Sequence, residues 1–354
     1  MFTSIPADNL PHPLGLHIAV DPRIELLAVV QYLSTYDSRS HLITRFEIQY
    51  KMDIEKTLHS FRCHQAVRLF DQLSSNGFNF HYPPAAMLYL SAPPELEVQI
   101  PYPDDLIEHA GGANPLGQFL SALRNFAMES DFMDFYQSQS AFYDAIVSDT
   151  TAQLYGRNDL VAVLEAYFGM KQYSYHLMLS PLYHDGGFGP RVDRENGLSA
   201  IYSIIGPSGM NAQKHPTFGA PRDLGYLIWH EFSHPFVNPL TEQYLNHVNQ
   251  YQSLYQPLAK DTIKLAYGNW AGTVSEHIVR AVTVRLAARE LGDAKGQACL
   301  DDERGHGFVY IDLLAERLKH YEEQRDRYPS FSDFFPELIK GFAEAKPVPQ
   351  NTHN

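Results

Sequence analysis

Apolar positions recur at helical spacing through the first half of the chain, switch briefly to a strand-like run, and return to helical spacing. DPRIELLAVVQYLSTY (21–36) predicts a helix with Asp21 as N-cap and Pro22 at the first helical position, where its missing N–H leaves no bond unmade. TLHSFRCHQAVRLFDQLSS (57–75) predicts a second helix, stopped by Asn76-Gly77. PPAAMLYLSAPPEL (83–96) is a short helix or turn between proline pairs. Residues 114–150 form a long helical stretch, enough for two helices, and DLVAVLEAYFGM (159–170) closes this half.

The texture changes after Gly169. YSYHLMLSPLY (173–183) has the composition of a strand, and HDGGFGPRV (184–192) is a glycine-rich loop without the Lys-Ser/Thr of a phosphate-binding loop. GLSAIYSIIG (197–206) predicts a second strand, apolar on both faces. DLGYLIWHEFSH (223–234) then begins a helix, and the rest reads as helical to Ala345, with breaks near Pro239, Pro257, Gly292 and Pro329. Strands segregated among helices predict an α+β fold, mostly helical, with a small mixed sheet packed on the helix that carries HEFSH. Residues 1–20 read as an extended arm and 346–354 as a tail. Residues 21–345 read as a single domain in two lobes. The first runs to about 235 and holds the sheet and the HEFSH helix; the second, 236–345, is helical, with a cleft between the two.

Composition narrows the function without choosing it. The chain has 354 residues and a formal net charge of −14, with no run of Lys or Arg, which argues against a nucleic-acid partner. Its two cysteines, Cys63 and Cys299, make no disulfide framework and no CxxC pattern. The first residues have neither the basic nor the apolar region of a signal peptide, and no run of eighteen apolar residues predicts a membrane span, so the compartment stays open. His59, Cys63 and His64 share a predicted helix at spacings that could bind metal; a buried cysteine beside two partly exposed histidines accounts for them more simply.

The chemistry concentrates in WHEFSHPFVNP (229–239). Residues four apart share one face of a helix, so His230 and His234 can turn imidazole nitrogens to one cation. Glu231 lies about 100° round the helix, beside the ion but outside its first shell, where it can act as a general base. The opposing explanation is two core histidines with local partners. The apolar LGYLIW ahead of them makes an uncoordinated cluster of two histidines and a carboxylate costly.

A catalytic zinc takes three protein ligands and one open position. Glu276, 42 residues after His234, lies on the apolar helix NWAGTVSEHIVRAVTVRLAARE and needs a cation. Arg280 at i+4 could make a simple salt bridge with it, or could orient it as a ligand. His277 and Asp261 are the other candidates for third ligand, and Asn238 could orient His234. Tyr310, His306 and Tyr267 are candidates for the donor that stabilises a developing oxyanion. The compact HExxHxxGxxH arrangement is absent, because PFVNPLTEQY follows His234. Pro235 disfavours helical geometry at His234, so the helix should end or kink there and Phe236–Pro239 should begin a crossing to the other lobe.

HEFSH followed by a glutamate on a later helix resembles the zincin metallopeptidases of the two-histidine, one-glutamate (gluzincin) type. HEFSHPFVNPL with SEHIVRAVTVRL is similar to an uncharacterised bacterial family of zincin-like proteins, a domain of unknown function. The likeness extends to HQAVRLFDQLSSNGFNFHYPPAAMLYLSAPPELE and GFVYIDLLAERL, most of the chain. This resemblance implies one zinc ion held by His230, His234 and Glu276, with Glu231 as general base. It implies an upstream strand that pairs with a bound peptide, for which Ala200, Ile201, Tyr202, Ser203, Ile204 and Ile205 are the candidates. The implied activity is zinc-dependent hydrolysis of peptide bonds in a peptide or protein substrate. A catalytically silent scaffold that binds metal or peptide, or a hydrolase of other amides, is the alternative.

Overall fold

The computed structural model of the protein describes residues 15–154, 156–194, 197–219, 223–258 and 268–345. These fall into two compact units. One comprises Leu16–Gly156 and Tyr173–Leu224; the other comprises Arg157–Gln172 and the described residues from Gly225 onward.

The first unit is built around α1 (Pro22–Leu33). Asp21 caps it, its side chain accepting from the Arg23 backbone N–H at 2.8 Å, and Pro22 occupies the first position as the pattern predicts. Most of α1 is buried, Glu25 included. The helix expected over 57–75 is instead two, α2 (Gln49–Leu58) and α3 (Gln65–Ser75), joined by a 3-10 turn. His64 takes an extended conformation and becomes the N-cap of α3, its Nδ1 accepting from Ala66 N–H, which removes it from any shared face with His59. Cys63 is exposed, not buried. The stretch over 114–150 forms three helices where two were expected: α4 (Ala113–Glu129), α5 (Phe132–Ser138) and α6 (Ser140–Ala152). Asp131, left-handed at φ 48°, makes the first break.

The sheet of this unit holds β1 (His17–Ala19), β2 (Ser174–Leu179), β3 (Gly187–Phe188), β4 (Arg191–Asp193) and β5 (Ser199–Ile205). β1 lies inside the stretch expected to be an arm. Its paired residues are 159 positions away, and a three-residue strand carries little periodicity. β1–β2 and β2–β5 are parallel, while β3 and β4 run antiparallel to β5, so the sheet is mixed. All seven residues of β5 are buried, as a run apolar on both faces requires. β5 is also interior. β2 pairs with it from Ala200 to Ile205, β3 and β4 take the opposite edge, and Tyr202 N–H donates to the Pro190 carbonyl. Ala200–Ile205 therefore has no free main-chain edge for a peptide, and the substrate-strand expectation fails for that reason.

The second unit starts with α7 (Leu160–Phe168), whose N-cap Asp159 accepts from Val161 and Ala162 N–H groups. Gly169 closes it at φ 61°, where an added Cβ would stand 3.0 Å from Ser330 Cα, so the close approach as well as the angle selects glycine. The other main helices are α8 (Leu224–Gln243), α9 (Trp270–Leu291), α10 (Asp293–Gly305), α11 (Ile311–Glu323) and α12 (Phe331–Lys340). Among the described residues no helix is long and apolar enough to cross a membrane.

Two expectations are corrected here. α8 does not end at His234; it runs twenty residues with Pro235 and Pro239 inside it. Packing overrides the local preference. Phe232, Ser233, Phe236 and Val237 are buried, Phe236 stacks on Phe168 at 4.4 Å, and Trp229 Nε1–H donates to the Leu160 carbonyl. These contacts hold α8 to α7 on both sides of Pro235. They also place α8 in the same unit as Glu276, so the division expected near 235 falls at 224/225, and Phe236–Pro239 is no crossing.

Glu25 generates a pH-dependent prediction. Ser180 Oγ–H donates to its Oε1 at 2.5 Å, and its Oε2 is buried without a hydrogen-bond partner. Burial pushes its pKa up to about 7, against the lowering effect of the Ser180 and Tyr50 hydroxyls. A carboxyl that stays protonated to a higher pH when folded contributes stability at low pH. That contribution is lost as pH rises from about 4.5 to about 7, by on the order of 3 kcal/mol. Urea unfolding across this range should show the slope in the wild type and its absence in Glu25→Gln; equal slopes would contradict the assignment.

Candidate metal centre

α8 and α9 bring three side chains to one point. On α8, His230 and His234 are one turn apart on the same face. On α9, capped by Asn269 through the Gly272 N–H, Glu276 comes two turns in. His230 Nε2 lies 3.5 Å from Glu276 Oε1, and His234 Nε2 lies 3.4 Å from Glu276 Oε2. One ligand atom from each of the three falls within 4.8 Å of the others, the arrangement needed to hold a metal ion. Both distances exceed the 2.7–2.9 Å of a charge-assisted N–H···O bond, so the imidazoles stand around a shared point more than they bond to the carboxylate.

The surroundings suit this. Glu276 is buried, only 3% exposed, while His230 and His234 are partly open. An ionised carboxylate at that depth requires a partner. Arg280, one turn on, donates from Nε to Glu276 Oε1 at 2.6 Å, so the salt bridge considered as an alternative to ligation exists beside the histidine contacts. Asn238, one turn after His234, sets its Oδ1 at 3.4 Å from His234 Nδ1. A proton on Nδ1 facing that oxygen leaves Nε2 as the ligand atom. Ser275 donates to Thr241 Oγ1 at 2.9 Å and pins α9 to α8 about two turns past His234. A cleft of about 400 Å³ opens beside the cluster, lined by His234, Glu276, Asn238, Thr241, Glu242, Asn269, Ala271, Gly272 and Ser275. Glu231 neighbours His230 on α8, is partly exposed, and lies outside the three-residue cluster.

Three of the other candidates are placed elsewhere. His277 turns away from the cluster: its Nδ1 contacts the Thr273 carbonyl at 2.8 Å and its ring packs on Phe308 and Tyr310. Burial holds its pKa down at about 4, so it is a neutral core histidine. Tyr310 donates its hydroxyl to the Leu254 carbonyl and sits among Trp270, His277 and Phe342, with burial raising its pKa to about 12. That hydroxyl is committed to packing, so Tyr310 is not the oxyanion donor. His306 lies on the exposed side of α10 beside Asp302. Asp261 and Tyr267 lie outside the described residues.

Two residues at the centre were not singled out from the sequence. Glu303, 1% exposed near the end of α10, accepts from Arg280 Nη1 at 2.5 Å and from the Tyr226 hydroxyl at 3.2 Å. Tyr226 stands one turn before His230 on the same face of α8, so Tyr226, His230, His234 and Asn238 form one i, i+4 series. That spacing could have drawn attention to Tyr226. Glu303 sits in the polar run LDDERGHG and shows no such pattern. α10 comes close enough to deliver it because residue 296 is glycine; a Cβ there would meet Ala288 Cα on α9 at 2.7 Å.

Removing Arg280 would strand two buried carboxylates. In metal-free protein, Arg280→Met should cost about 3–5 kcal/mol of stability by urea unfolding. A loss below about 1 kcal/mol would show that Glu276 and Glu303 do not depend on it.

Residues 16–341 match the family described as Domain of unknown function (DUF4932). No curated protein matches the chain, and no solved structure does. With nearly the whole chain inside the match, including α8, α9 and all three residues of the cluster, the protein belongs to the DUF4932 family.

Proposed function

We propose that the protein is a zinc-dependent peptidase in which Glu231 activates the attacking water. The observation that carries this reading is the convergence of two imidazole nitrogens and a carboxylate, drawn from two helices, with a second carboxylate adjacent on the first helix. Zinc bonds of about 2.0–2.2 Å in tetrahedral geometry set neighbouring ligand atoms about 3.3–3.6 Å apart. The 3.5 and 3.4 Å separations reach the two different oxygens of Glu276, and one ligand atom from each of the three residues lies within 4.8 Å of the others, close enough for an ion to draw them to that spacing. His230, His234 and Glu276 would hold the ion. When bound, zinc supplies a Lewis acid for the scissile carbonyl and a water acidic enough to ionise near neutral pH.

The chain's own residues supply the rest. Asn238 orients the His234 ring, and Arg280 holds the Glu276 carboxylate in place. Glu231 takes a proton from the attacking water on its carboxylate and returns it to the leaving amide nitrogen, so that it ends the cycle ionised again. The cleft beside His234 and Glu276 has polar and small walls, suited to main-chain amide groups.

Two histidines and a carboxylate are also the ligand set of non-haem iron centres. Glu231 favours hydrolysis over both that chemistry and a silent metal-binding scaffold, because only hydrolysis uses a base at that position. Glu231→Gln should keep its zinc and lose peptide-library cleavage by about 10²–10⁴-fold. Cleavage equal to wild type would remove Glu231 from the mechanism. Absence of cleavage by zinc-loaded wild type would favour the scaffold reading.

A further inference from the structure

Arg280 creates an electrostatic difficulty for the centre. Its guanidinium stands 2.6 Å from the carboxylate that would also hold a divalent cation, and it is 8% exposed, so water screens it little. Uncompensated, a fixed positive charge there competes for Glu276 and repels the ion.

Glu303 answers both parts of this difficulty. It receives Arg280 Nη1 at 2.5 Å on the side away from the Nε contact, so the guanidinium is shared between two carboxylates. Its other oxygen accepts the Tyr226 hydroxyl from α8, one turn before His230. One buried carboxylate on α10 thus contacts both ligand-bearing helices: α9 through Arg280 and α8 through Tyr226. The Arg280 guanidinium also lies over the Phe308 ring at 4.0 Å, which keeps it in the plane that both carboxylates use. His306 is the other titratable group beside Glu303, at 4.0 Å and largely open to solvent.

We infer that Glu303 is a positioning residue of the metal centre, which neutralises Arg280 so that Glu276 can serve as a ligand and holds α8 and α9 in the register the three ligands need. This rests on the zinc reading of the His230–His234–Glu276 cluster. Counting Glu303 lowers the charge of the ion, Glu276 and Arg280 together by one. Arg280 and Glu303 cancel, and one divalent ion with Glu276 leaves a single positive charge to polarise a substrate carbonyl. Without Glu303 the same site would carry two.

The test is zinc affinity, measured by competition with a chromophoric chelator, with thermal unfolding of each protein as a separate readout. Glu303→Gln keeps the size and an acceptor oxygen but removes the charge, and should weaken zinc binding by about 10–100-fold. Adding Arg280→Met to Glu303→Gln removes the uncompensated cation, and should bind zinc several-fold more tightly than Glu303→Gln alone, though short of wild type because Arg280 also holds the Glu276 carboxylate. A residue that merely stabilised the fold would lower the melting temperature in both variants without this fall and recovery in affinity. Glu303→Gln binding as tightly as wild type would overturn the inference and leave the zinc reading standing. A double variant binding no better than Glu303→Gln would also overturn it. Wild type that binds no zinc would remove the zinc reading and this inference together.

Discussion

The second unit is organised around one buried carboxylate. Glu276 lies 3% exposed on an otherwise apolar stretch of α9, a placement that is unfavourable unless positive charge or polarised hydrogen surrounds it. Arg280 meets it from one side and the two histidines face it from the other. The surrounding architecture serves that arrangement. α7 anchors α8 through Trp229 and Phe236, Ser275 joins α9 to Thr241 on α8, and Gly296 lets α10 approach close enough to bring in Glu303. Among the described residues the centre is held by packing between α7, α8, α9 and α10, with one side open to the cleft.

Its chemistry depends on an asymmetry between the faces of this cluster. Arg280, Glu303 and Tyr226 form the buried side, where charges are paired and dielectric screening is weak. His234, Asn238 and the polar residues of the cleft form the accessible side. A ligand site with fixed charge behind it and an open approach in front is the general plan of a catalytic metal centre, as opposed to a structural one closed on four sides. Glu231 follows His230 directly on the same helix as the two histidines. This placement is why the hydrolytic reading is preferred over metal storage or a purely structural ion.

How much of this could be read in advance varied with the range of the interaction. The pairing of His230 with His234 depends on helical period alone and was legible from five residues. Glu276 was legible because an acid on an apolar helix must find a cation, although the same argument allowed a plain salt bridge to Arg280, and that bridge is present. The cap at Asp21 and the strand expected within 197–206 were local and correctly placed. What failed was tertiary. Pro235 and Pro239 carry a real local bias against a helix, yet the Phe168–Phe236 stack and the Trp229–Leu160 bond keep α8 continuous. The strand 199–205 showed its burial but not its neighbours, so its interior place in the sheet was hidden. Tyr310 looked available as a donor because nothing local reveals that its hydroxyl donates to the Leu254 carbonyl. Glu303 was invisible because its burial depends on a glycine seven residues earlier and on a helix contact with no trace in its own spacing.

The central claim is that Glu276 is a ligand and not only the partner of Arg280. Metal content of the purified protein, measured by mass spectrometry without added chelator, tests it most directly when wild type is compared with Glu276→Ala. About one zinc per chain in wild type, and at least a tenfold lower content in a variant that remains folded, is the predicted result. Full zinc retention by Glu276→Ala would contradict the account, because the two histidines would then be completing their site without the carboxylate at its centre.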